Sequence, residues 1–356
     1  MAERRRTAVE LHGGGMKLGL STGYWSAVPP PGVEAQVAEA ERLGFDSMWT
    51  SEAYGSDALS PLAWWGSKTR RLKLGTAIFQ MSARTPAATA MAAMTLDHLS
   101  GGRAIVGLGV SGPQVVEGWY GQPYPRPLAR TREYVEVMRR IIARDSPVTF
   151  EGEFYSLPTR EGSGLGKPLK STIHPVRPDI PIYLGAEGPK NVALAAEICE
   201  GWLPIFFAPS DDAFYRGALA EGFERPGARR TLEAFEVAAM VPVIPNPDVE
   251  AAADMVRPTL ALYIGGMGAR DRNFHKDVFV RMGYEAECEL IQDLYLQGRK
   301  PEAIAAVPTA MVEDTALIGS PAKIKDDLAG WEESVVTTLL IQGPPELLRM
   351  MAELVG

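Results

Sequence analysis

Cysteine and histidine are scarce: Cys199 and Cys288, with His12, His98, His174 and His275, are all that 356 residues contain. Two distant cysteines build no disulfide framework, and neither has the partner spacing of a metal or redox pair. The histidines form no His-Glu-x-x-His helix, so no metal site is expected. Cys199 falls on the apolar side of a helical pattern, where core packing rather than nucleophilic chemistry is expected. Positive charge is also short: 36 Lys and Arg stand against 44 Asp and Glu, for a net charge of −8. With no dense basic stripe, binding of nucleic acid through its phosphates is not expected. No apolar run approaches the ~18 residues of a membrane span. Arg4-Arg5-Arg6 is not followed by the apolar segment of a signal peptide. These absences point to a soluble, cytoplasmic protein whose partner is a small molecule, neither nucleic acid nor membrane.

What is present is ordinary globular composition, 46% hydrophobic and 22% charged, enough for one large core. Residues 1–15 end in Gly13-Gly14-Gly15, lack periodicity and read as a disordered extension. From Met16, strand and helix signals alternate. Strands are expected at Lys17–Thr22, Ser47–Thr50, Leu72–Phe79, Ala104–Leu108, Ile182–Leu184, Trp202–Phe206, near Phe235–Val243, and at Val335–Ile341. Between them run helical stripes through Val33–Leu43, Leu62–Trp65, Pro86–Leu99 and Thr131–Ala143. Two interruptions are expected. Residues 146–180 carry a hairpin about Glu151-Gly152 and a Gly/Pro-rich loop, and residues 249–310 form a mostly helical insertion. Eight strands alternating with helices predict a (β/α)8 TIM barrel over residues 16–356, whose site is built by the loops at the strands' C-terminal ends.

The segment Ile180-Pro-Ile-Tyr-Leu-Gly-Ala-Glu-Gly-Pro-Lys-Asn191 carries the most chemistry. A buried strand stops at Gly185, and Pro189 suits the first position of the next helix. Between them, Gly185-Ala186-Glu187-Gly188 offers backbone amides at the positive end of a helix dipole, an arrangement suited to an anion. Alone, it would be an ordinary strand-to-helix turn. A second glycine pattern, Gly107-Leu-Gly109-Val-Ser-Gly112, is literally G-x-G-x-x-G, the fingerprint of a Rossmann dinucleotide site. It lies in the fourth βα unit rather than the first, and the residues from Pro113 to Tyr124 do not continue as an apolar-striped helix. Close backbone approach at a barrel strand end accounts for these glycines instead.

Together with Leu43-Gly-Phe-Asp-Ser-Met-Trp-Thr-Ser-Glu52, Leu74-Gly-Thr-Ala-Ile78, Thr95-Leu-Asp-His-Leu-Ser-Gly-Gly-Arg103 and Ala316-Leu-Ile-Gly-Ser-Pro321, these segments resemble the luciferase-like flavin and deazaflavin oxidoreductases, most closely their coenzyme F-420-dependent branch. The resemblance covers residues 16–356. It implies a bacterial-luciferase-like barrel, commonly a homodimer, that transfers a hydride between coenzyme F-420 and a carbonyl or unsaturated organic substrate. FMN with a monooxygenase reaction, or a barrel that binds cofactor without catalysis, are the alternatives. A non-prolyl cis peptide is implied at Ala77–Ile78, beneath the cofactor ring. Glu52 falls at the ring edge, Ser111, Gly112 and Gln114 on the fourth-strand loop, and Gly185, Ala186, Glu187 and Gly188 at the phosphate cradle. The His and Glu that some F-420 dehydrogenases use as acid/base groups are replaced here by Ala53 and Pro113. Glu52 and Tyr54 are the candidate catalytic residues, with Tyr24 a further source of a proton. Tyr24, Trp25, Tyr54 and Trp119 are candidate walls of an apolar pocket. His98 reads as structural, and Asp97 and Arg103 are expected to bridge the turn between them.

Overall fold

The computed structural model of the protein describes residues 15–268 and 270–356. The predicted disordered extension therefore lies, but for Gly15, outside the described residues. Eight parallel strands close into a barrel: Lys17–Ser21, Ser47–Thr50, Lys73–Thr76, Ala104–Gly109, Ile182–Gly185, Gly201–Leu203, Glu236–Met240 and Thr338–Ile341. We number them one to eight. Each pairs with its neighbours in chain order, and strand one closes the ring against strand eight with Leu18 opposite Leu339 and Leu20 opposite Ile341.

Period-two alternation explains why the strands are apolar on both faces. In strand five, Ile182 and Leu184 pack outward under the helices, while Tyr183 enters the barrel with Trp49, Ile105, Leu203, Ala238 and Leu340. The Trp49 and Tyr183 rings lie 5.6 Å apart. A Cβ added at Gly75 would stand 2.3 Å from the Trp49 ring, so the large indole dictates a residue without a side chain beside it. The same logic explains the G-x-G-x-x-G pattern. A Cβ at Gly107 would meet the Thr76 carbonyl oxygen at 1.8 Å, and one at Gly109 would meet the Ile78 side chain at 2.2 Å. These glycines let strands three and four approach; they form no dinucleotide turn.

Differences from the sequence reading have local causes. The third strand stops at Thr76 and resumes as Phe79–Gln80, on either side of a cis Ala77–Ile78 peptide. The sixth ends at Leu203, because Pro204 brings no amide to the ladder. The fourth barrel helix starts at Pro127, whose fixed φ suits a first turn, rather than at Thr131. The hairpin turns over residues 152–155, between Phe150–Glu151 and Ser156–Leu157, not about Glu151-Gly152. The Glu133 carboxylate sets that turn by accepting the amides of Glu153, Phe154 and Tyr155 at 2.7, 2.8 and 3.1 Å. Asp97 does not bridge to Arg103. It pairs with Arg177 at 2.8 Å and accepts the Ala104 amide at 3.0 Å, while Arg103 donates to backbone oxygens of Ser100, Thr69 and Leu72. His98 bonds the His174 carbonyl at 2.6 Å, a structural contact.

The second interruption is a helical insertion with its own core. Helices Val249–Gly265, Phe274–Arg281 and Glu285–Leu296, with two short helices after them, bury Leu260, Ile264, Phe279, Ile291 and Met311 against one another. The chain enters and leaves through a parallel pair of short strands, Val243–Pro245 and Leu317–Gly319. The insertion thus ends nearer Thr315 than residue 310. Among the described residues no helix is long and apolar enough to cross a membrane.

Candidate functional site

A cleft of about 1040 Å³ opens at the C-terminal end of the barrel, roofed on one side by the insertion. Pockets of this size and mixed lining are where small ligands bind. All the candidate residues line it: Glu52, Tyr54, Ala77, Ile78, Ser111, Gly112, Gln114 and the cradle Gly185 to Gly188. Tyr24 and Trp119 line it as well, whereas Trp25 does not. The Ala77–Ile78 peptide is cis, and both residues belong to the cleft wall.

The fourth-strand loop is held in an unusual shape. Ser111 sits at φ 55°, a left-handed conformation that costs a residue with a Cβ roughly 1–2 kcal/mol. The Tyr124 hydroxyl donates to the Ser111 carbonyl at 2.8 Å and so fixes it, and burial pushes the Tyr124 phenol up to about 12. After strand five, the helix Pro189–Ile198 begins with Gly188 at its N-cap and no side chain capping it. Pro189 has no amide and that of Asn191 bonds the Gly188 carbonyl at 3.0 Å, so in this first turn the Lys190 amide is left to whatever occupies the cleft. A Cβ at Gly188 would meet nothing within 4 Å, so the space before the cradle is open. Two buried polar atoms on the cleft wall have no protein partner, Gln80 Oε1 and Asn191 Oδ1. Native proteins rarely leave such atoms unpaired unless a ligand or water completes them.

Glu52 is buried and fully occupied. Its Oε1 accepts from the Gln80 amide at 3.0 Å and Arg84 Nη1 at 2.6 Å; its Oε2 accepts from the Ala58 amide at 3.1 Å and Arg84 Nη2 at 3.0 Å. Arg84 in turn stacks on Phe79, 4.3 Å from the ring centroid. Glu52 therefore ties the second-strand loop to the third. Tyr54 is 58% exposed at the mouth.

Several cleft residues come from places the sequence did not signal. Tyr263, at the end of an insertion helix, sets its hydroxyl against that of Tyr24; burial, then their mutual contact, accounts for the raised pKa of Tyr263. Burial likewise raises that of Tyr24. Glu187 turns its carboxylate away from the cradle to His275 Nδ1, 2.6 Å distant, and Arg281 donates to the Glu187 carbonyl at 3.1 Å. The acidic side chain in the anion cradle is thus engaged by a residue of the insertion. No periodicity or motif marks Tyr263 or His275, since both are placed by tertiary packing. Gln80 and Arg84 do follow the C-terminal end of the third strand, where a barrel places its site. Cys199 is fully buried, and desolvation pushes its thiol up to about 12, which suits core packing.

Known proteins resemble this chain in sequence and in fold. The chain is 56% identical over 344 residues, 96% of its length and 99% of the relative's, to a protein of Mycobacterium tuberculosis named as a coenzyme F-420-dependent oxidoreductase. It is 28% identical to the 5,10-methylenetetrahydromethanopterin reductase of Archaeoglobus fulgidus, over 88% of this chain and 89% of that one. The structure of the coenzyme F-420-dependent tetrahydromethanopterin reductase of Methanopyrus kandleri superposes with a TM-score of 0.76 at 25% identity, covering 96% of this chain and 98% of the other. An F-420-dependent secondary alcohol dehydrogenase, with a TM-score of 0.75 at 18% identity over 96% and 98% of the two chains, shares the fold. The sequence model of the luciferase-like monooxygenases matches residues 12–338, and the chain belongs to that family.

Proposed function

We propose that the protein is an oxidoreductase that transfers a hydride between coenzyme F-420 and a carbonyl or unsaturated organic substrate. One observation carries the reading: the cis bulge, the Ser111 loop and the open glycine cradle, each implied by the F-420-dependent branch, converge on one cleft. The 56% identical relative named for the same cofactor supports it.

The residues fit such a group. The backbone of Gly185 to Gly188, at an uncapped helix start, suits the cofactor's phosphate. Ala77 and Ile78 offer an apolar face, and the unpaired Gln80 and Asn191 oxygens await donors. When bound, a deazaflavin supplies a two-electron hydride centre that reacts poorly with dioxygen. The protein's part is to orient, exclude water and handle the proton. Glu52, spent on four donors, acts by holding two site loops in register. Tyr54 shapes the cleft mouth, where Tyr24 and Trp119 add apolar surface for the substrate. We also propose a homodimer, with a sedimentation mass twice that of the chain.

Titration of the purified protein with F-420 and, separately, FMN tests the cofactor. Tighter F-420 binding is expected, with anaerobic turnover placing one cofactor-derived hydrogen in the product. Tighter FMN binding with a requirement for dioxygen would transfer the protein to the monooxygenase reading. Cofactor binding without turnover of a substrate panel would favour a non-catalytic barrel.

A further inference from the structure

Hydride transfer to a double bond needs a proton for the atom that does not receive the hydride. Several polar groups in and beside the cleft are committed elsewhere. Glu52 is saturated by Arg84 and two amides, and the Tyr124 and Tyr120 hydroxyls donate to the carbonyls of Ser111 and Ala53, at 2.8 and 2.7 Å. Ala53 and Pro113 have no ionisable side chain.

His275 stands apart. Asn273 caps its helix, accepting the His275 and Lys276 amides at 3.0 and 3.1 Å, and donates to the Tyr263 and Ile264 carbonyls at 2.9 and 2.7 Å. The imidazole is wedged edge-on between Tyr263, 4.7 Å away, and Phe206, 6.1 Å away. Its Nδ1 meets Glu187 Oε1 at 2.6 Å. A carboxylate only accepts, so Nδ1 carries the proton. The other nitrogen, Nε2, has no partner among the described residues, and the residue lines the cleft. The neighbouring cations are committed: Lys276 to Gln292 at 2.9 Å, and Arg281 to the Glu187 carbonyl at 3.1 Å and the Tyr215 hydroxyl at 3.2 Å. Arg272 packs on Phe274. A ring oriented by a carboxylate at one nitrogen and free at the other is the arrangement of a general acid–base group.

We propose that His275, oriented by Glu187, transfers the substrate's proton through Nε2. The proposal rests on the hydride-transfer reading above. In the reducing direction a C=O or C=C bond gains a hydride at carbon from a reduced deazaflavin, which loses two electrons. The partner atom gains the proton from Nε2 of the imidazolium. His275 is left neutral, its remaining proton on Nδ1 toward Glu187, and is reprotonated by solvent at the cleft mouth. Oxidation of an alcohol reverses each transfer.

Four histidines make ring-nitrogen NMR practical, and it needs no cofactor. The neutral form of His275 is expected to be protonated at Nδ1 and bare at Nε2, and Glu187→Gln should mix the two tautomers. Diethyl pyrocarbonate should modify His275 in the free protein, and saturating F-420 should block it. His275→Asn should keep the fold and bind F-420 within about threefold of wild type. It should slow oxidation of reduced F-420 by cyclohex-2-enone or cyclohexanone by about 10²- to 10⁴-fold, and imidazole should partly rescue His275→Ala. A neutral ring protonated at Nε2, unprotected modification with F-420 bound, or wild-type turnover by His275→Asn overturns the proposal. Absence of F-420 binding overturns the functional reading instead, and the tautomer alone then decides the dyad. If neither probe is turned over, tautomer and protection decide it.

Discussion

The two ends of the barrel are built on opposite principles. At the N-terminal end charged residues at or just before several strand starts find partners. Lys17 pairs with Glu236 at 2.5 Å, Lys73 with Asp46 at 2.8 Å, and Glu200 takes both Arg139 and Arg229 while accepting the Ile182 amide at 2.9 Å. At the C-terminal end the cleft wall holds two unpaired buried oxygens, a helix start without a cap and a serine in a left-handed conformation. One end spends its polar groups on itself; the other keeps them for a ligand. That division is the one a barrel enzyme needs, because its loops can then vary without loosening its base.

The sharpest break is expected at the base. Asp97 is wholly buried between Arg177 and the Ala104 amide, and Asp97→Ala would leave that arginine without its carboxylate. A loss of about 3–5 kcal/mol is expected, read by urea denaturation. A change below about 1 kcal/mol would show that the base does not depend on its ion pairs. Glu52→Gln tests the one cleft residue built like the base. It turns an acceptor into a donor facing donors, so a loss of about 1–3 kcal/mol is expected together with weaker F-420 binding. Stability lost with F-420 affinity unchanged would confine Glu52 to the scaffold.

A smaller effect separates the ends by pH. Burial alone would raise the pKa of Glu236, but its bonds to Lys17 and Thr337 outweigh it and the net shift is downward. A lowered folded-state pKa stabilises above the unfolded value near 4.3 and is lost as pH falls through the folded value. The stability gap between wild type and Glu236→Gln, about 1 kcal/mol at pH 7 for a partly exposed pair, should therefore shrink below pH ~4.5. A gap that stays constant to pH 3 would contradict it. The smallest change is expected from Gln80→Leu, which removes an unpaired buried oxygen. Its melting temperature should hold or rise slightly, while F-420 affinity falls. A marked loss of stability would mean that Gln80 serves the fold.

The barrel was legible because its strands are apolar on both faces and helices such as Val33–Leu43 and Pro86–Ser100 end on glycines, signals confined to a few neighbouring residues. The cleft wall was legible for a related reason: in a barrel, strand ends such as Ile78, Ser111 and Gly185 must share one rim. What local pattern could not disclose were contacts made across the molecule. Glu133 reaching the hairpin turn, Asp97 choosing Arg177 over Arg103, and His275 meeting Glu187 join residues 20 or more positions apart. Side-chain partners at such separation leave no periodic trace.

The parallel pair Val243–Pro245 and Leu317–Gly319 acts as a neck. Holding the two ends of a long excursion together bears the loop-closure entropy once, at the neck, and that cost grows only slowly with the length beyond it. The helices past the neck can therefore lengthen, shorten or repack around their own core with little consequence for the barrel. Tyr263 and His275 ride on that portion, so a lineage could exchange one face of its reaction chamber while inheriting the rest unchanged.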